Sequence, residues 1–587
     1  MSILNESLAD RTRGSDHSTD DHRSGQRAPA DGVSYVRGET GVDLEYVTIP
    51  QLMRRTVSRH GPRDAVVFAD TGVRRSYHDL DREIDALAGG FLAMGLQKGD
   101  RVGIQSPNRY EWILTQFATA RVGLVMVNVN PAYRLTEVEY ALNRVGCKAL
   151  ILARSFKTSD YLGMIRQLAP ELEQCEPGRL RAAKLPMLKN VVVMDDDPGP
   201  GVFTFAQVKA LGGPAQQLRL SMVDRSLNPD DAINIQFTSG TTGAPKGATL
   251  SHHNIVNNAR FVTDRIHLTD SDRLCIPVPL YHCFGMVMGV LGAVSKGAVM
   301  VFPGEGFDPT ATLEVLSRER CTAVYGVPTM FIAMLQDMET GSPDLSSLRT
   351  GIMAGAPCPV DVMERVNSQM NLREITICYG MTETSPVSFQ SFIDDPVDKR
   401  CGTVGRIHPH IEAKLVDADG HIVPVGERGE LCTRGYSVMK GYWDDDVRTR
   451  ECILEGWMHT GDLATFDGDG FCTIVGRVKD MINRGGENVY PREIEEYLFR
   501  HPGISEVQVF GIPDEKYGEV VCAWIIGKPG GKLTEESVRQ FCQGQIAHYK
   551  IPEHIRIVDE IPMTITGKPQ KFVMRDRMVE MLSGKAA

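Results

Sequence analysis

From about Tyr46 the chain alternates amphipathic segments with short, continuously apolar ones, and this alternation limits the fold more than any other feature. The run "YHDLDREIDALAGGFLAMGLQKGD" places Leu80, Ile84, Leu87, Phe91 and Leu92 at helical spacing. It closes at Gly95 and the Lys98-Gly99-Asp100 turn. "RVGIQS" follows as a strand, "YEWILTQFATARVG" as a helix and "LVMVNVN" as the next strand. The same strand signal returns at "KALILA", "NVVVMD", "AVMVF" and "TAVYGVP". Strands apolar at every position need cover on both faces, which predicts an α/β fold of parallel sheets coated by helices. The plainer section 160–227 reads as room for a helical insertion.

At 587 residues the chain is too long for one core, so at least two domains are expected. Near Asp417 the texture changes. "IEAKLVDADGHIVPVGERGELCTRG" alternates apolar and polar residues around Asp-Gly and Gly turns, and "FDGDGFCTIVGR" repeats the style. Both predict antiparallel hairpins, a small β-barrel-like section. After Asp480 a compact, smaller α+β stretch begins, its helix opened by Pro491 and stopped at His501-Pro502-Gly503. The expected division is a disordered tail over 1–40, a large domain over 41–477 and a small mobile domain over 478–587.

Net charge is −11, with both signs mixed along the chain, which argues against a nucleic-acid partner bound through a basic surface. Thirteen cysteines are scattered singly with no zinc-ligand spacing, so thiols in a reducing cytoplasm are expected. The first 30 to 40 residues lack the apolar core of a signal peptide and carry Asp10, Asp16, Asp20 and Asp21, unlike a mitochondrial transit peptide. No stretch reaches the length of a membrane span. "MVMGVLGAVSKGAVMVF" comes closest, but Lys296 and its glycines make it a buried helix followed by a strand.

"FTSGTTGAPKG", Phe237 to Gly247, is too poor in apolar side chains to build a core. The strand "AINIQF" enters it, and a helix is expected from near Asn254. Gly240, Gly243 and Gly247 let backbone amides turn inward, Thr238, Ser239, Thr241 and Thr242 add hydroxyls, and Lys246 adds a cation. This is an anion cradle suited to a polyphosphate. The same composition also suits a flexible surface loop. A Walker-type loop needs Gly-Lys-Ser/Thr, whereas Lys246 lies between Pro245 and Gly247.

"TSGTTGAPKG" resembles the signature loop of the adenylate-forming acyl-CoA synthetases, the AMP-binding superfamily, and five further motifs succeed it in that family's order. "MAGAPCP" resembles the strand end on which adenine rests, "YGMTETSP" the adenine and magnesium segment, and "WMHTGDLA" the ribose element. "GRVKDMINRGGENVYPREIE" resembles the hinge and the segment after it, and "PMTITGKPQKFVMR" the C-terminal catalytic segment. The resemblance spans about Tyr46 to Glu580. "YHCFG", "GYWDD" and "KIPEHI" look most like the medium-chain fatty acyl-CoA synthetases, including the mitochondrial family-member-2 type and bacterial relatives.

The resemblance implies a ligase that converts a fatty acid, ATP and coenzyme A into acyl-CoA, with Mg²⁺ as metal and acyl-AMP as intermediate. Thr238, Ser239, Gly240, Thr241, Thr242, Gly243, Ala244, Pro245 and Lys246 would hold phosphates. Gly355, Ala356, Pro357, Tyr379, Gly380, Met381 and Thr382 would meet the nucleotide, with Asp462 on the ribose and Arg477 on ribose or phosphate. Glu383 would bind Mg²⁺, acting with Thr382 and Lys568 in catalysis. Lys568 would bridge the attacking carboxylate and the α-phosphate. Pro569 departs from the aliphatic residue often found beside that lysine. Lys479 would be the pivot between domains, and Gly485, Gly486 and Glu487 would border the coenzyme A path. His282 would sit beside the acyl site with Gly355, or serve equally well as a satisfied core histidine. Other carboxylic acids, aryl acids among them, remain open as substrates, as does a non-catalytic nucleotide-binding regulator. A homodimer is compatible with the sequence, which leaves oligomeric state undecided.

Overall fold

The computed structural model describes residues 28–29, 32–238, 245–339, 341–356, 358–485, 487–564 and 569–583. Two large sheets form the body. One has eight strands, and five neighbouring pairings in it are parallel, linking 203–204, 190–193, 147–152, 101–105, 125–128 and 232–238 in that order. The other has nine strands, with a parallel centre running from Glu374–Gly380 through Thr350–Ala354, Ala323–Gly326, Arg273–Cys275 and Val299–Phe302 to Asp64–Phe68. The apolar runs read from sequence are these strands. Val102, Ile104, Leu150, Ile151, Val192 and Met300 are fully shut from solvent, as strands with both faces covered require.

The helix Tyr77–Ala93 shows why its "AGG" sits mid-helix, where glycine is intrinsically unfavourable. A Cβ on Gly90 would lie 2.0 Å from the Val208 carbonyl oxygen. The missing side chains let the helices Phe205–Ala210 and Pro214–Asp224, the expected helical insertion, pack directly on its backbone. "MVMGVLGAVSK" is helical as expected, but it opens with a π-helical stretch, Phe284–Leu291, before the helix Gly292–Lys296 and the strand Val299–Phe302. No helix among the described residues is long and apolar enough to cross a membrane. All thirteen cysteines are free thiols.

A third sheet has six antiparallel strands: Tyr35–Arg37, Ile411–Val416, Gly429–Gly435, Trp457–Phe466, Ile453–Leu454 and Cys472–Arg477. Its first strand corrects the expected 1–40 tail. Tyr35, Val36 and Arg37 pair with Lys414, Ala413 and Glu412, and Val36 is 2% exposed. The polar composition of the head hid this strand, because a three-residue edge strand needs only one buried side chain. Residues 1–27 and 30–31 lie outside the described structure. Deleting residues 1–40 exposes the apolar face that Val36 covers, a loss of about 1.5–3 kcal/mol before the ladder hydrogen bonds are counted. We expect a Tm lowered by a few degrees in a thermal melt, while deletion of 1–27 leaves it unchanged. Equal melts for both truncations would show the strand to be dispensable.

A short 3-10 turn, Val478–Asp480, separates this sheet from the last one, which carries its own apolar core of Ile482, Val507, Val509, Val521, Ile525 and Ile555 among others. That five-stranded sheet flanks the helix Pro491–Leu498, with proline in its first turn as expected.

Candidate active site

The glycine-rich segment does not run from strand to helix as expected. Ala232–Thr238 pairs antiparallel with Lys246–Ser251, Thr238 opposite Lys246, and the helix His252–Arg265 begins only after the return strand. The described ends of the segment are therefore two paired antiparallel strands, and the return strand Lys246–Ser251 separates the segment from the helix His252–Arg265. The sequence signal misled because "KGATLS" is short and lacks apolar alternation, while the Ser251 cap box is a strong helix start that sits just beyond it. Ser239 to Ala244 lie outside the described residues. Just before the return strand, the Pro245 carbonyl accepts a hydrogen bond from the Tyr140 hydroxyl at 3.2 Å. The Lys246 ammonium lies 4.9 Å from the centre of the Tyr442 ring.

Glu383 comes to this hairpin from the other large sheet. It sits in the one-turn helix Thr382–Thr384, after the strand Glu374–Gly380. Gly380 is obligatory there, because a Cβ would stand 1.8 Å from the Pro386 carbonyl oxygen as the chain folds back on itself. Glu383 is 5% exposed. Its Oε1 accepts from the Thr238 hydroxyl at 3.1 Å and from the Tyr442 hydroxyl at 2.9 Å. Its Oε2 takes no hydrogen bond from the described residues. Burial, followed by the neighbouring carboxylate, pushes the Tyr442 phenol far above its ordinary value, so it stays a donor. Tyr442 was missed in the sequence as an individual residue, though "GYWDD" contains it. Its strand Gly441–Tyr442 is the last of the eight-stranded sheet, paired with Ala248 and Thr249.

A second group lies at the other end of the same segment. Tyr379 donates its phenol to Asp462 Oδ2 at 2.5 Å, and Arg477 Nε donates to Asp462 Oδ1 at 2.9 Å. Asp462 and Arg477 face each other across adjacent antiparallel strands, which aligns the pair. Asp462 is 7% exposed, whereas the Arg477 side chain remains 59% exposed. The Asp462 carboxylate keeps lone pairs for further donors, since each oxygen has taken one.

Gly355, at φ +90°, ends the strand Thr350–Ala354, a backbone angle that suits glycine, and Ala356 comes next. Pro357 lies outside the described residues. His282 is half-buried against Tyr281, ring centres 4.1 Å apart, immediately before the π-helical stretch. That contact suits an acyl-site histidine and a core histidine alike. Gly485, at φ +63°, donates its N–H to the Tyr517 carbonyl at 2.7 Å, and Glu487, itself exposed, begins an edge strand whose Val489 is buried. Lys479 occupies the turn between the domains. Gly486 and Lys568 lie outside the described residues. The base of the Lys568 loop is pinned by a bridge between Met563 and Pro569 and by Gln570 N–H on Pro562 O at 2.8 Å.

The Thr238 end of the hairpin and the Gly355 and Gly380 strand ends all lie at carboxyl ends of parallel strands, where open α/β sheets bind ligands. Hydroxyls, a buried carboxylate and a lysine gather at one end of the Tyr379–Pro386 segment. At the other end a carboxylate sits beside an arginine. Such a site suits a nucleoside polyphosphate.

The chain belongs to the AMP-binding enzyme family: residues 53–443 match the AMP-binding enzyme model, and residues 493–568 match the AMP-binding enzyme C-terminal domain. It is 47% identical to a protein of Danio rerio named medium-chain acyl-CoA ligase ACSF2, mitochondrial, over 94% of this chain and 91% of that one. It is 44% identical to the putative acyl-CoA synthetase YngI of Bacillus subtilis, over 92% of this chain and 99% of that one. Among solved structures, the anthranilate CoA ligase AuaEII in complex with anthranoyl-AMP superposes with a TM-score of 0.80 at 26% identity, over 91% of this chain and 98% of that one.

The Tyr442 phenol and the Glu383 carboxylate give a direct test. Tyr442→Phe removes one hydrogen bond to a buried charged oxygen, worth about 1.5–3 kcal/mol. We expect pyrophosphate release to slow roughly tenfold or more. A rate within twofold of the parent would reduce Tyr442 to a packing residue.

Proposed function

We propose that this chain is an ATP-dependent, AMP-forming ligase that joins medium- to long-chain fatty acids to coenzyme A. The observation that carries the reading is the convergence of Thr238, Lys246, Glu383 and Tyr442 at one end of the Tyr379–Pro386 segment and of Asp462 and Arg477 at the other. That spacing suits phosphates at one end and a ribose at the other. The choice of fatty acids is supported by the names of the relatives.

A carboxylate is a poor acyl donor because oxide would have to leave. In the first step its oxygen attacks the α-phosphorus of ATP and pyrophosphate departs, leaving acyl-AMP. In the second, the coenzyme A sulfur attacks the acyl carbon, its proton is lost, and AMP leaves. No covalent protein nucleophile is needed, so the residues work by positioning and charge stabilisation. Thr238 and Lys246 hold phosphate oxygens, and Lys568 neutralises charge between the acid and the α-phosphate. Asp462 accepts from ribose hydroxyls while Arg477 and Tyr379 hold it in place.

Glu383 suits Mg²⁺, which prefers a few carboxylates together with phosphate oxygens: its Oε2 is uncommitted to the described residues and the Thr238 hydroxyl is a neighbouring hard donor. The ion, when bound, would offset charge on the departing pyrophosphate.

Lys568 belongs to the small domain, and so does the Gly485–Glu487 stretch. Using both in turn requires the small domain to rotate about Lys479. One contact that would have to break is weak. Arg428 reaches Glu493 at 3.5 Å and stacks 4.6 Å from the Tyr490 ring centre, with both charged side chains about two-fifths exposed. An exposed pair of this kind is worth about 0–1 kcal/mol.

Coenzyme-A-dependent AMP release across acids from acetate to palmitate, with several aryl acids, tests the proposal. Turnover should peak at medium- to long-chain fatty acids. A peak at aryl or short acids would move the chain to another ligase specificity. ATP binding without AMP release would favour a regulator.

A further inference from the structure

The strand that carries Asp462 is irregular where it matters. Between the pairs Glu430–Leu463 and Cys432–His459, the single residue Leu431 opposes three: Thr460, Gly461 and Asp462. Such a bulge bends its strand and re-aims side chains, but it also strips backbone groups of their ladder partners. Gly461 adopts φ +71°, with nothing within 4 Å of where a Cβ would stand, so the position selects glycine for its backbone angle alone. Three of the displaced groups have a side-chain partner. The Gly461 N–H donates to Glu430 Oε1 at 3.1 Å. The Asp462 N–H donates to Thr460 Oγ1 at 3.1 Å, and that hydroxyl donates to the Leu431 carbonyl at 2.7 Å. The other oxygen of Glu430, Oε2, meets His459 Nδ1 at 2.9 Å. His459 Nδ1 also lies 3.4 Å from Cys432 Sγ.

We propose that Glu430 is a positioning residue for nucleotide binding: its carboxylate closes the Thr460–Asp462 bulge and so aims the Asp462 carboxylate at the ribose. It touches neither nucleotide nor acid. The inference rests on the reading of Asp462 as the ribose ligand. Glu430, Cys432 and His459 are also close enough together to suggest a divalent cation. Both glutamate oxygens are already engaged, however, and burial pushes the Cys432 thiol up to about 12, which favours the hydrogen-bonded network.

The test compares ATP with 2′,3′-dideoxy-ATP, which offers no ribose hydroxyls. A site built to bind hydroxyls should prefer ATP in kcat/KM by at least about a hundredfold in the parent enzyme. Glu430→Met keeps the volume and removes the acceptor. It should shrink that preference at least about tenfold through a raised ATP KM, with the KM for acid and coenzyme A nearly unchanged. Glu430→Gln keeps an acceptor for Gly461 and should retain most of the preference. Thr460→Val empties the same bulge from the other side without touching Glu430, and it should act in the same direction even if the methionine variant folds poorly. A Glu430→Met enzyme that slows with both nucleotides alike, its preference intact, overturns the proposal. Asp462→Ala serves as the reference. If it abolishes the preference and Glu430→Met does not, only the role of Glu430 fails. If it leaves the preference intact, the ribose reading fails and this inference falls with it.

Discussion

Replacing Lys568 by alanine is expected to slow acyl-AMP formation by at least about 10²–10³-fold while leaving thioester formation from supplied acyl-AMP within about threefold of the parent. The first step brings a carboxylate against a polyphosphate, two anions that repel. A cation placed between them acts where charge concentrates and has no equivalent task once acyl-AMP exists. The loop that carries Lys568 is tied at its base by the Met563–Pro569 bridge, and its flanking helix Lys571–Leu582 is anchored by Lys571 on Glu495 at 2.7 Å. Removing one side chain from within that frame should not unfold it. Pyrophosphate release and thioester formation, measured separately, check the asymmetry. Equal losses in both half-reactions would give Lys568 a general structural role.

Lys479→Pro is expected to reverse the pattern, with thioester formation lost about a hundredfold or more and pyrophosphate release reduced far less. Lys479 is the middle residue of the single turn Val478–Asp480, between a strand of the large domain and the strand Ile482–Arg484 of the small one. Rotation of one domain against the other would be absorbed by the dihedrals of that turn. Proline fixes φ near −65° and restricts the residue before it, leaving one of two hinge conformations accessible. The adenylating conformation is the one expected to survive. Proportional loss in both half-reactions would make Lys479 an ordinary linker residue and remove the main support for domain alternation.

The sequence by itself determined the layered body, because strands apolar at every position have no other way to exclude water. It also determined the hairpins after Asp417, through their Asp-Gly turns, and it marked the chemistry-bearing segments by residue type and order. Tertiary structure decided what those segments touch. Glu383 alone reads as a solvated acid at a helix start. Burial came with two hydroxyls, Thr238 and Tyr442, which lie 145 and 59 residues away in the chain. The stretch after the glycine-rich segment became a return strand because Lys246–Ser251 found a partner on each side, in Ala232–Thr238 and Gly441–Tyr442. The edge strand Tyr35–Arg37 likewise exists only because Ile411–Val416 offers it a free edge. Local propensity sees a few residues along the chain. Hydrogen-bond partners and burial belong to whatever the fold brings alongside, and in this protein they placed Asp462 on a bulge whose exposed amide is closed by a glutamate from the neighbouring strand.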